Sequence, residues 1–344
     1  MGFNRLIYND RLKIECMRKL GYKPKEIADE IGFCLATVYN ELKRGKFEVF
    51  KNGKKEILYS ALASENQHYN RMKNCGKKSQ VLDDERLQEY LSHMLIDKKY
   101  SPQAIIDDIN NRHLKFDFQV KSKTTIYNAI KKGYIKGVTL EHLPVRKKER
   151  KKKIVRQKRL IKGELIDKRP LEYTDRNYFG SWEMDTVKGK KEKGPVILNL
   201  VERKTRYSFM MYLNDNSIYE VVKALNRIEK LFGSPTYGVF KCVTTDNGSE
   251  FLDYVSTSKA LYRKGKRFDY FYCNPYSSFE RGSNENCNKF IRRWLPKGTD
   301  FNKELTRKKL KFIQNWTNNY PRQIFGGKSA RDMFRKQLID LGFP

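Results

Sequence analysis

The sequence predicts a multidomain protein in which an all-α N-terminal region precedes an α/β domain with a mixed sheet and a short helical tail. Three observations predict this order. The 344 residues suffice for roughly two or three domains with sizeable cores. The first third repeats its apolar residues at helical spacing. From about Gly180 onward, three strand-like segments follow one another, and strands then alternate with helices.

The composition points to a polyanionic partner. The chain carries 72 Lys and Arg against 40 Asp and Glu, a formal charge of +32. Such an excess opposes compaction unless a polyanion is bound, and we expect double-stranded DNA. The chain has no apolar run of membrane-spanning length and no signal-peptide core. We therefore expect a cytoplasmic, nucleoid-associated protein with no membrane partner.

The cysteines predict neither a zinc site nor disulfide bonds. None of the six belongs to a C-x-x-C pair. Scattered single thiols of this kind are typical of reduced cytosolic proteins. We also expect no small-molecule cofactor.

Residues 1–50 are predicted to form a helix-turn-helix DNA-binding domain. Apolar residues recur at i and i+4 in three successive segments: Leu12, Cys16 and Leu20; Ile27 and Ile31; Val38 and Leu42. Pro24 suits the first turn of the second helix, and Gly32 can end it. The polar outer face of the third helix supplies the candidate DNA contacts: Thr37, Tyr39, Asn40, Lys43 and Arg44. An ordinary three-helix bundle with a solvated face remains the alternative.

Residues 51–140 repeat this layout loosely and are predicted to form a second helical, helix-turn-helix DNA-binding segment. Ser101-Pro102 opens one helix, and Ser122 or Thr124 caps another. The closing TTIYNAIKKG is similar to ATVYNELKRG in the first domain. A helical stretch at 59–74 joins the two parts. The candidate DNA contacts in this segment are Ser122, Thr124, Thr125 and Asn128.

Residues 141–178 are predicted to be a basic linker. The stretch VRKKERKKKIVRQKRL has ten Lys or Arg against one Glu. Charge runs are often solvated tails that repel themselves. Between two DNA-facing parts, however, we expect this run to lie along phosphates and to add affinity without sequence information.

Residues 179–300 are predicted to form the α/β domain. SWEMDTVKG, PVILNLVERKTR and YSFMMYLND indicate three strands, and SIYEVVKALNRIEKLFG indicates a helix. FKCVTTD and FDYFYC are two further strands, with a helix expected between them near 252–263. ERGSNENCNKFIRRWL is the last helix of the domain, and residues 301–344 form a C-terminal helical segment.

Two aspartates fall where active sites of open α/β sheets lie, near the ends of strands. Asp185 lies within the first strand, and Asp246 ends the fourth, where Asn247-Gly248 turns the chain and leaves the carboxylate exposed. Strand periodicity puts Glu183 on the face of Asp185 as a candidate fourth carboxylate. We prefer to interpret Glu183 as the ion-pair partner of a neighbouring Lys.

A third carboxylate, Glu285, lies on the polar face of the last helix of the domain. The opposite face is predicted to be buried through Cys287, Phe290, Ile291 and Trp294. Lys289 and Arg292 follow Glu285 at i+4 and i+7, where they could bind the phosphates of DNA. Three converging carboxylates suit two Mg²⁺ ions about 4 Å apart, the arrangement used for phosphodiester chemistry.

Three blocks, WEMDTV, TTDNGSEF and NPYSSFERGSNENCNKFIRRWLPKGTDF, resemble the acidic blocks of transposases of the IS-thirty family of bacterial insertion sequences. That family belongs to the DDE recombinases, which share an RNase H-like fold with retroviral integrases. KPKEIADEIGFCLATVYNELKRG resembles the helix-turn-helix of the family, and YSPQAIIDDI with TTIYNAI resembles its second DNA-binding segment. The tail resembles its closing helices, although Lys328-Ser329 stands where a Thr-Pro pair is usual.

The resemblance implies that Asp185, Asp246 and Glu285 are the catalytic and metal-binding triad. The 38 residues between Asp246 and Glu285 exceed the usual spacing of the family, which Glu280, with 33 between, would match. We choose Glu285 because it lies in the NEN block and on the polar helix face. Glu280 precedes Gly282 in the expected loop before the helix.

The resemblance also implies a function and its partners. The protein would be a bacterial transposase that binds the terminal inverted repeats of its element and a target DNA, as a dimer or higher oligomer. Two Mg²⁺ ions, replaceable by Mn²⁺, would support strand cleavage and then attack by the freed 3′-hydroxyl. The alternative is a catalytically inactive helix-turn-helix regulator derived from a transposase.

Overall fold

The computed structural model describes residues 5–51, 53–74, 79–144, 163–190, 193–274 and 277–343. The chain divides into two compact units, Met1–Ser79 and Gln80–Pro344, and each is described by itself. The basic run at 145–160 lies outside the described residues. Within the described ranges, no helix is both long enough and apolar enough to cross a membrane.

The first unit consists of helices and one antiparallel hairpin. Its elements are α1 (Tyr8–Lys19), α2 (Pro24–Ile31), α3 (Leu35–Arg44), β1 (Lys46–Lys51), β2 (Lys54–Tyr59) and α4 (Ala61–Asn74). The three predicted helical segments and the helical stretch after residue 59 are therefore present. Gly32 ends α2 in the left-handed conformation, which glycine adopts without strain. The hairpin was not expected, and the predicted domain boundary at residue 50 falls inside β1.

The buried face of α1 differs from the predicted one. Leu12 and Leu20 are 40% and 76% exposed, whereas Ile14 is fully buried. Arg11 occupies the same inner face, because its guanidinium lies 2.8 Å from the buried carboxylate of Glu41. The prediction that Leu12, Cys16 and Leu20 form the buried face of α1 is therefore wrong. The buried face is formed by Ile14 and by the ion pair of Arg11 with Glu41.

The second unit begins with helices that do not form a separate core. These are α5 (Glu85–Ile96), α6 (Pro102–Asn111) and α7 (Lys123–Lys131). Ser101 caps α6 and Ser122 caps α7, as predicted. Their buried residues, such as Leu91 and Ile105, share one cluster with Trp316 and Tyr320 near the C-terminus. The segment predicted as 51–140 is thus divided, with α4 in the first unit and α5–α7 packed into the second.

A six-stranded mixed sheet forms the centre of the second unit. Its strands are β3 (Glu164–Leu165), β4 (Ser181–Lys188), β5 (Val196–Glu202), β6 (Ser208–Leu213), β7 (Cys242–Thr245) and β8 (Asp269–Tyr272), in the order β3-β8-β7-β4-β5-β6. The pairs β4–β5 and β5–β6 are antiparallel; β4–β7, β7–β8 and β8–β3 are parallel. β3 extends the sheet into the range predicted as linker.

Helices cover both faces of this sheet. They are α8 (Leu171–Thr174), α9 (Ile218–Phe232), α10 (Thr236–Val239), α11 (Tyr254–Ser258), α12 (Gly282–Trp294), α13 (Phe301–Glu304), α14 (Arg307–Asn319) and α15 (Ala330–Asp340). β5 is buried along its whole length because its alternate residues serve two cores. Leu198 and Leu200 pack with α9 on one face. Ile197 and Val201 pack with α12 and α14 on the other.

Candidate active site

Asp185 and Asp246 lie on neighbouring strands. β4 and β7 run parallel, and Glu183 is in register with Thr244. Two residues further along each strand, the same register sets Asp185 beside Asp246, just past the carboxyl end of β7. The backbone N–H of Gly248 donates to Oδ1 of Asp246 at 3.1 Å, so the Asn-Gly turn orients this carboxylate.

One arginine joins the two aspartates. Nη1 of Arg281 lies 3.0 Å from Oδ1 of Asp185, and Nη2 lies 3.0 Å from Oδ2 of Asp246. Burial disfavours the charged form of Arg281, but the two carboxylates outweigh it and raise the arginine pKa. Burial also raises the pKa of Asp246, and Arg281 opposes that shift. Sequence reasoning missed Arg281, although it stands inside the ERGSNEN block.

Helix α12 is fastened to the sheet by polar contacts. Asn288 donates to Oδ2 of Asp185 at 2.7 Å and accepts from Asn199 of β5 at 3.1 Å. The backbone N–H of Asn284 donates to the buried carboxylate of Glu183 at 2.9 Å. These asparagines share the inner face of α12 with buried residues of the predicted stripe, Cys287 and Ile291.

The other half of the predicted stripe packs differently. Phe290 and Trp294 are only partly buried: Phe290 contacts the cluster formed with α5–α7, and Trp294 contacts both that cluster and the one on the face of the sheet. The predicted apolar stripe of α12 is therefore divided: Cys287 and Ile291 face the sheet, Phe290 turns toward the helices, and Trp294 contacts both clusters.

The side chain of Glu285 does not lie with those of Asp185 and Asp246. It is 62% exposed and forms an ion pair with Lys289 at 3.6 Å, one turn further along α12. Arg292, the third residue of this predicted face, donates to the backbone carbonyl of Lys188 at 2.8 Å. Within the described ranges, no three His, Cys, Asp or Glu side chains come together in a group that could hold a metal ion.

The two other glutamates considered from the sequence both have fixed partners. Glu280 lies in a 3-10 turn before α12 and accepts from the backbone N–H of Asn274 at 2.9 Å and from its side chain at 3.2 Å. Glu183 is fully buried, 3.3 Å from the Nε of Arg203. The preferred interpretation of Glu183 as an ion-pair partner holds, but its partner is an arginine and not the expected lysine.

A further carboxylate, Glu250, lies close to Asp246 and was missed. It is 4% exposed, accepts from the hydroxyl of Thr186 at 2.5 Å and lies 3.3 Å from Nζ of Lys188. A Cβ at Gly248 would lie 2.7 Å from Oε2 of Glu250 and 3.0 Å from Oδ1 of Asp246. The glycine of TDNGSEF is thus needed for the close approach of these two carboxylates.

The aspartate pair fits a divalent cation in part. Carboxylate oxygens are the ligands that Mg²⁺ prefers, and two of them already flank one cationic group, the guanidinium of Arg281. Glu285 would have to turn inward to complete the predicted set.

The predicted DNA contacts differ in how accessible they are. On α3, Tyr39, Asn40 and Lys43 are exposed and Thr37 is half-buried, whereas Arg44 forms an ion pair with the buried Glu41. On α7, Thr124 and Asn128 are exposed and Thr125 is half-buried. The hydroxyl of Ser122 accepts from the backbone N–H of Thr124 at 3.2 Å, so part of its hydrogen-bonding capacity is used within the helix.

No protein-family model matches the chain. Among solved structures, the catalytic core domain of the integrase of BIV aligns with 45% of this chain and 93% of its own, at 14% identity and a TM-score of 0.33.

The order of the mixed sheet, the helices on both of its faces and the two aspartates at adjacent parallel strands define an α/β protein with a paired-carboxylate site. A probable transposase for the insertion-like element IS1161 of Streptococcus salivarius is 32% identical over 97% of this chain and 95% of its own length. Transposase InsI for element IS30C of Escherichia coli K12 is 30% identical over 52% of this chain and 43% of its own length. The chain belongs to the insertion-sequence transposases of the IS-thirty family.

Proposed function

We propose that this transposase cuts and joins DNA strands by a metal-dependent reaction in which Asp185, Asp246 and Glu285 are the catalytic carboxylates. The observation that carries the proposal is the pair of aspartates, each 3.0 Å from the same guanidinium. Two carboxylates that converge on one cation, from within β4 and just past the end of β7, are the ligands that a divalent ion needs. The transposase relative that spans nearly the whole chain supports the reaction class.

The side chains around the pair suit this chemistry. Two bound Mg²⁺ ions, or Mn²⁺ in their place, would activate the attacking oxygen and stabilise the leaving one. Asn288 holds one oxygen of Asp185, and the N–H of Gly248 holds one of Asp246, so each aspartate keeps its other oxygen toward Arg281. Glu285 lies on the helix that contacts Asp185 and would supply the third carboxylate after a change of rotamer.

Glu285 remains the preferred third carboxylate over Glu280. Both oxygens of Glu280 accept hydrogen bonds from Asn274, and its place before α12 is the end of a 3-10 turn. The exposed ion pair of Glu285 with Lys289 costs little to break. The availability of its carboxylate supports the assignment that the motif suggested.

The first unit would read the terminal inverted repeats of the element. The exposed Tyr39, Asn40 and Lys43 share one helix, as expected of a recognition helix in the major groove. The β1–β2 hairpin follows that helix directly and carries exposed lysines at 46, 54 and 55. Thr124 and Asn128 on α7 form a second candidate surface, and Lys289 and Arg292 would contact the phosphates of the strand being cut.

Two DNA ends must meet for transposition, so we propose that the protein acts as a dimer or higher oligomer. The terminal repeats and the target duplex would be its DNA partners. A catalytically inactive regulator is the less favoured alternative, because such a protein would have no need of paired aspartates on the sheet.

The proposal is tested by strand cleavage of a labelled duplex that carries the terminal repeat, with Mg²⁺ or Mn²⁺ and then with EDTA. We expect metal-dependent nicking at the repeat boundary by the wild type and by Glu280→Gln, and its loss in Asp185→Asn, Asp246→Asn and Glu285→Gln. Binding of the same duplex should persist in all variants. Tight binding without cleavage by the wild type under either metal would favour the regulator, and a fully active Glu285→Gln would remove Glu285 from the triad.

A further inference from the structure

The guanidinium of Arg281 occupies the position of a cation between the aspartates. It is 14% exposed and lies 3.0 Å from one oxygen of each of Asp185 and Asp246. Two neighbouring carboxylates repel each other, and a single cationic group between them offsets that repulsion. The planar fork of arginine suits this bridge: Nη2 donates a hydrogen bond to Asp246, while Nη1 forms an ion pair with Asp185.

Arg281 is not otherwise fixed at its head group. Within the part of the chain that the structure describes, its buried Nε and Nη1 have no hydrogen-bond partner, and Nη1 contacts Asp185 as an ion pair only. The guanidinium is therefore held by the two carboxylates themselves. An arginine held in this way can leave when another cation takes over both carboxylates.

Arg281 and Glu285 lie four residues apart at the start of α12. Arg281 immediately precedes the helix. It has a non-helical backbone, with φ −115° and ψ 43°, and its guanidinium turns to the two aspartates. With the arginine directed at the aspartates, Glu285 is 62% exposed and pairs with Lys289.

We propose that Arg281 is a resident counter-cation that exchanges with the catalytic metal. In the metal-free protein it neutralises Asp185 and Asp246 and keeps Glu285 out of the site. Metal binding displaces the guanidinium, and its departure opens the place beside the aspartates to Glu285. This inference rests on the proposed function, because it assumes that the same carboxylates bind the metal.

The exchange predicts opposite effects of one substitution on stability and on metal affinity. Arg281→Ala leaves two carboxylates without their cation, so we expect the Tm of the metal-free protein to fall by about 2–4 °C. The same variant should bind Mn²⁺ about tenfold more tightly, if the arginine-occupied form outnumbers the open form about ten to one. Calorimetric titration with Mn²⁺ alone, without DNA, measures the affinity.

Guanidinium ion provides a direct test of the mechanism. In Arg281→Ala, guanidinium chloride at a few millimolar should restore the Tm and raise the Kd for Mn²⁺ competitively, whereas equal concentrations of NaCl should not. The matched control is Arg331→Ala, which removes an exposed arginine on α15 that bonds to Asn315 at 3.0 Å. That control should bind Mn²⁺ like the wild type and should not respond to guanidinium.

Two further variants keep the test decisive. Arg281→Lys retains the charge but not the planar fork, and it replaces Arg281→Ala in the test if that variant does not fold. We expect Arg281→Lys to bind Mn²⁺ about threefold more tightly than the wild type. Glu285→Gln should weaken Mn²⁺ binding and leave the Tm of the metal-free protein unchanged, because its side chain is exposed.

The outcomes separate this inference from the proposed function. Mn²⁺ binding that depends on Asp185 and Asp246 but is unchanged in both Arg281 variants would overturn the exchange and leave the metal-dependent function standing. Wild-type protein that binds Mn²⁺ no better than Asp185→Asn would instead overturn the metal site itself. Tighter binding in Arg281→Ala, reversed by guanidinium, supports the exchange.

Discussion

At the scale of single residues, the absence of a side chain at Gly248 decides how closely two carboxylates can approach. Its φ of −63° is accessible to any residue, so the constraint is space and not backbone conformation. Asp246 and Glu250 both lie within 3.0 Å of the position that a Cβ would take. The buried Glu250 is held by Thr186 and cannot move aside easily.

Gly248→Ala should therefore displace the carboxylate of Asp246 and lower the rate of strand cleavage by about a hundredfold, the usual effect of a misplacement near 1 Å. Cleavage rate and Tm would both be measured. Gly238→Ala is the matched control, because a Cβ there meets nothing within 4 Å. An unchanged cleavage rate in Gly248→Ala would show that the site has more room than the geometry indicates.

The thiol of Cys34, directly before α3, is a chemical probe of the accessibility of that helix. Its exposed thiol lies 3.0 Å from the hydroxyl of Thr37, and that hydrogen bond lowers the pKa of Cys34. Burial raises the pKa of the thiols in the second unit, that of Cys273 to about 12. A lower pKa gives a larger thiolate fraction near neutral pH and hence faster alkylation.

Iodoacetamide at pH 7.5 should modify Cys34 much faster than Cys273. If α3 enters the major groove, bound terminal-repeat DNA should slow the reaction at Cys34 at least fivefold. Peptide mass spectrometry would give both rates. Cys16, an exposed thiol on α1, is the internal control. Equal protection of both cysteines by DNA would argue against α3 as the recognition helix.

At the scale of elements, α14 joins two parts of the second unit. Trp316 is buried in the cluster of α5–α7, where its Nε1 donates to the carbonyl of Lys98 at 2.8 Å. On the same helix, Leu310 and Ile313 belong to the cluster on the face of the sheet. One helix thus belongs to both cores.

Trp316→Ala should destabilise the protein by about 3–5 kcal/mol, as expected for removal of a buried aromatic ring with its hydrogen bond. Urea unfolding followed by circular dichroism would measure the loss. Lys311→Ala, an exposed change on the same helix, should stay within about 0.5 kcal/mol of the wild type. A small loss in Trp316→Ala would mean that α5–α7 do not depend on α14.

At the scale of the whole molecule, the division into Met1–Ser79 and Gln80–Pro344 predicts separable tasks. A fragment of residues 80–344 keeps α5–α7 together with the sheet and α14, so it should fold cooperatively. It should retain salt-sensitive, non-specific DNA binding but lose most of its preference for the terminal repeat. Competition binding with repeat and random duplexes would show this, and an undiminished preference would assign the reading to α7.

Much of the fold could be predicted because its signals are local. The strands β4 to β8 follow from apolar and β-branched runs bounded by turns, and the caps at Ser101 and Ser122 follow from side-chain chemistry. The inner face of α1 could not be predicted, because it depends on the ion pair of Arg11 with Glu41, thirty residues away. The length of the helix expected near 252–263 was also not predicted correctly, because α11 covers only Tyr254–Ser258.

The sequence by itself determined the family, the order of strands β4 to β8 with the helices between them, and the places of Asp185 and Asp246 in that order. Motif and periodicity are properties of neighbouring residues. Only the tertiary structure decided that Arg281 lies between those aspartates, that Glu250 approaches Asp246, and that α5–α7 share a core with α14. The physical reason is the same in each case. These contacts are chosen by packing and charge in three dimensions, and no local pattern encodes which distant partner satisfies them.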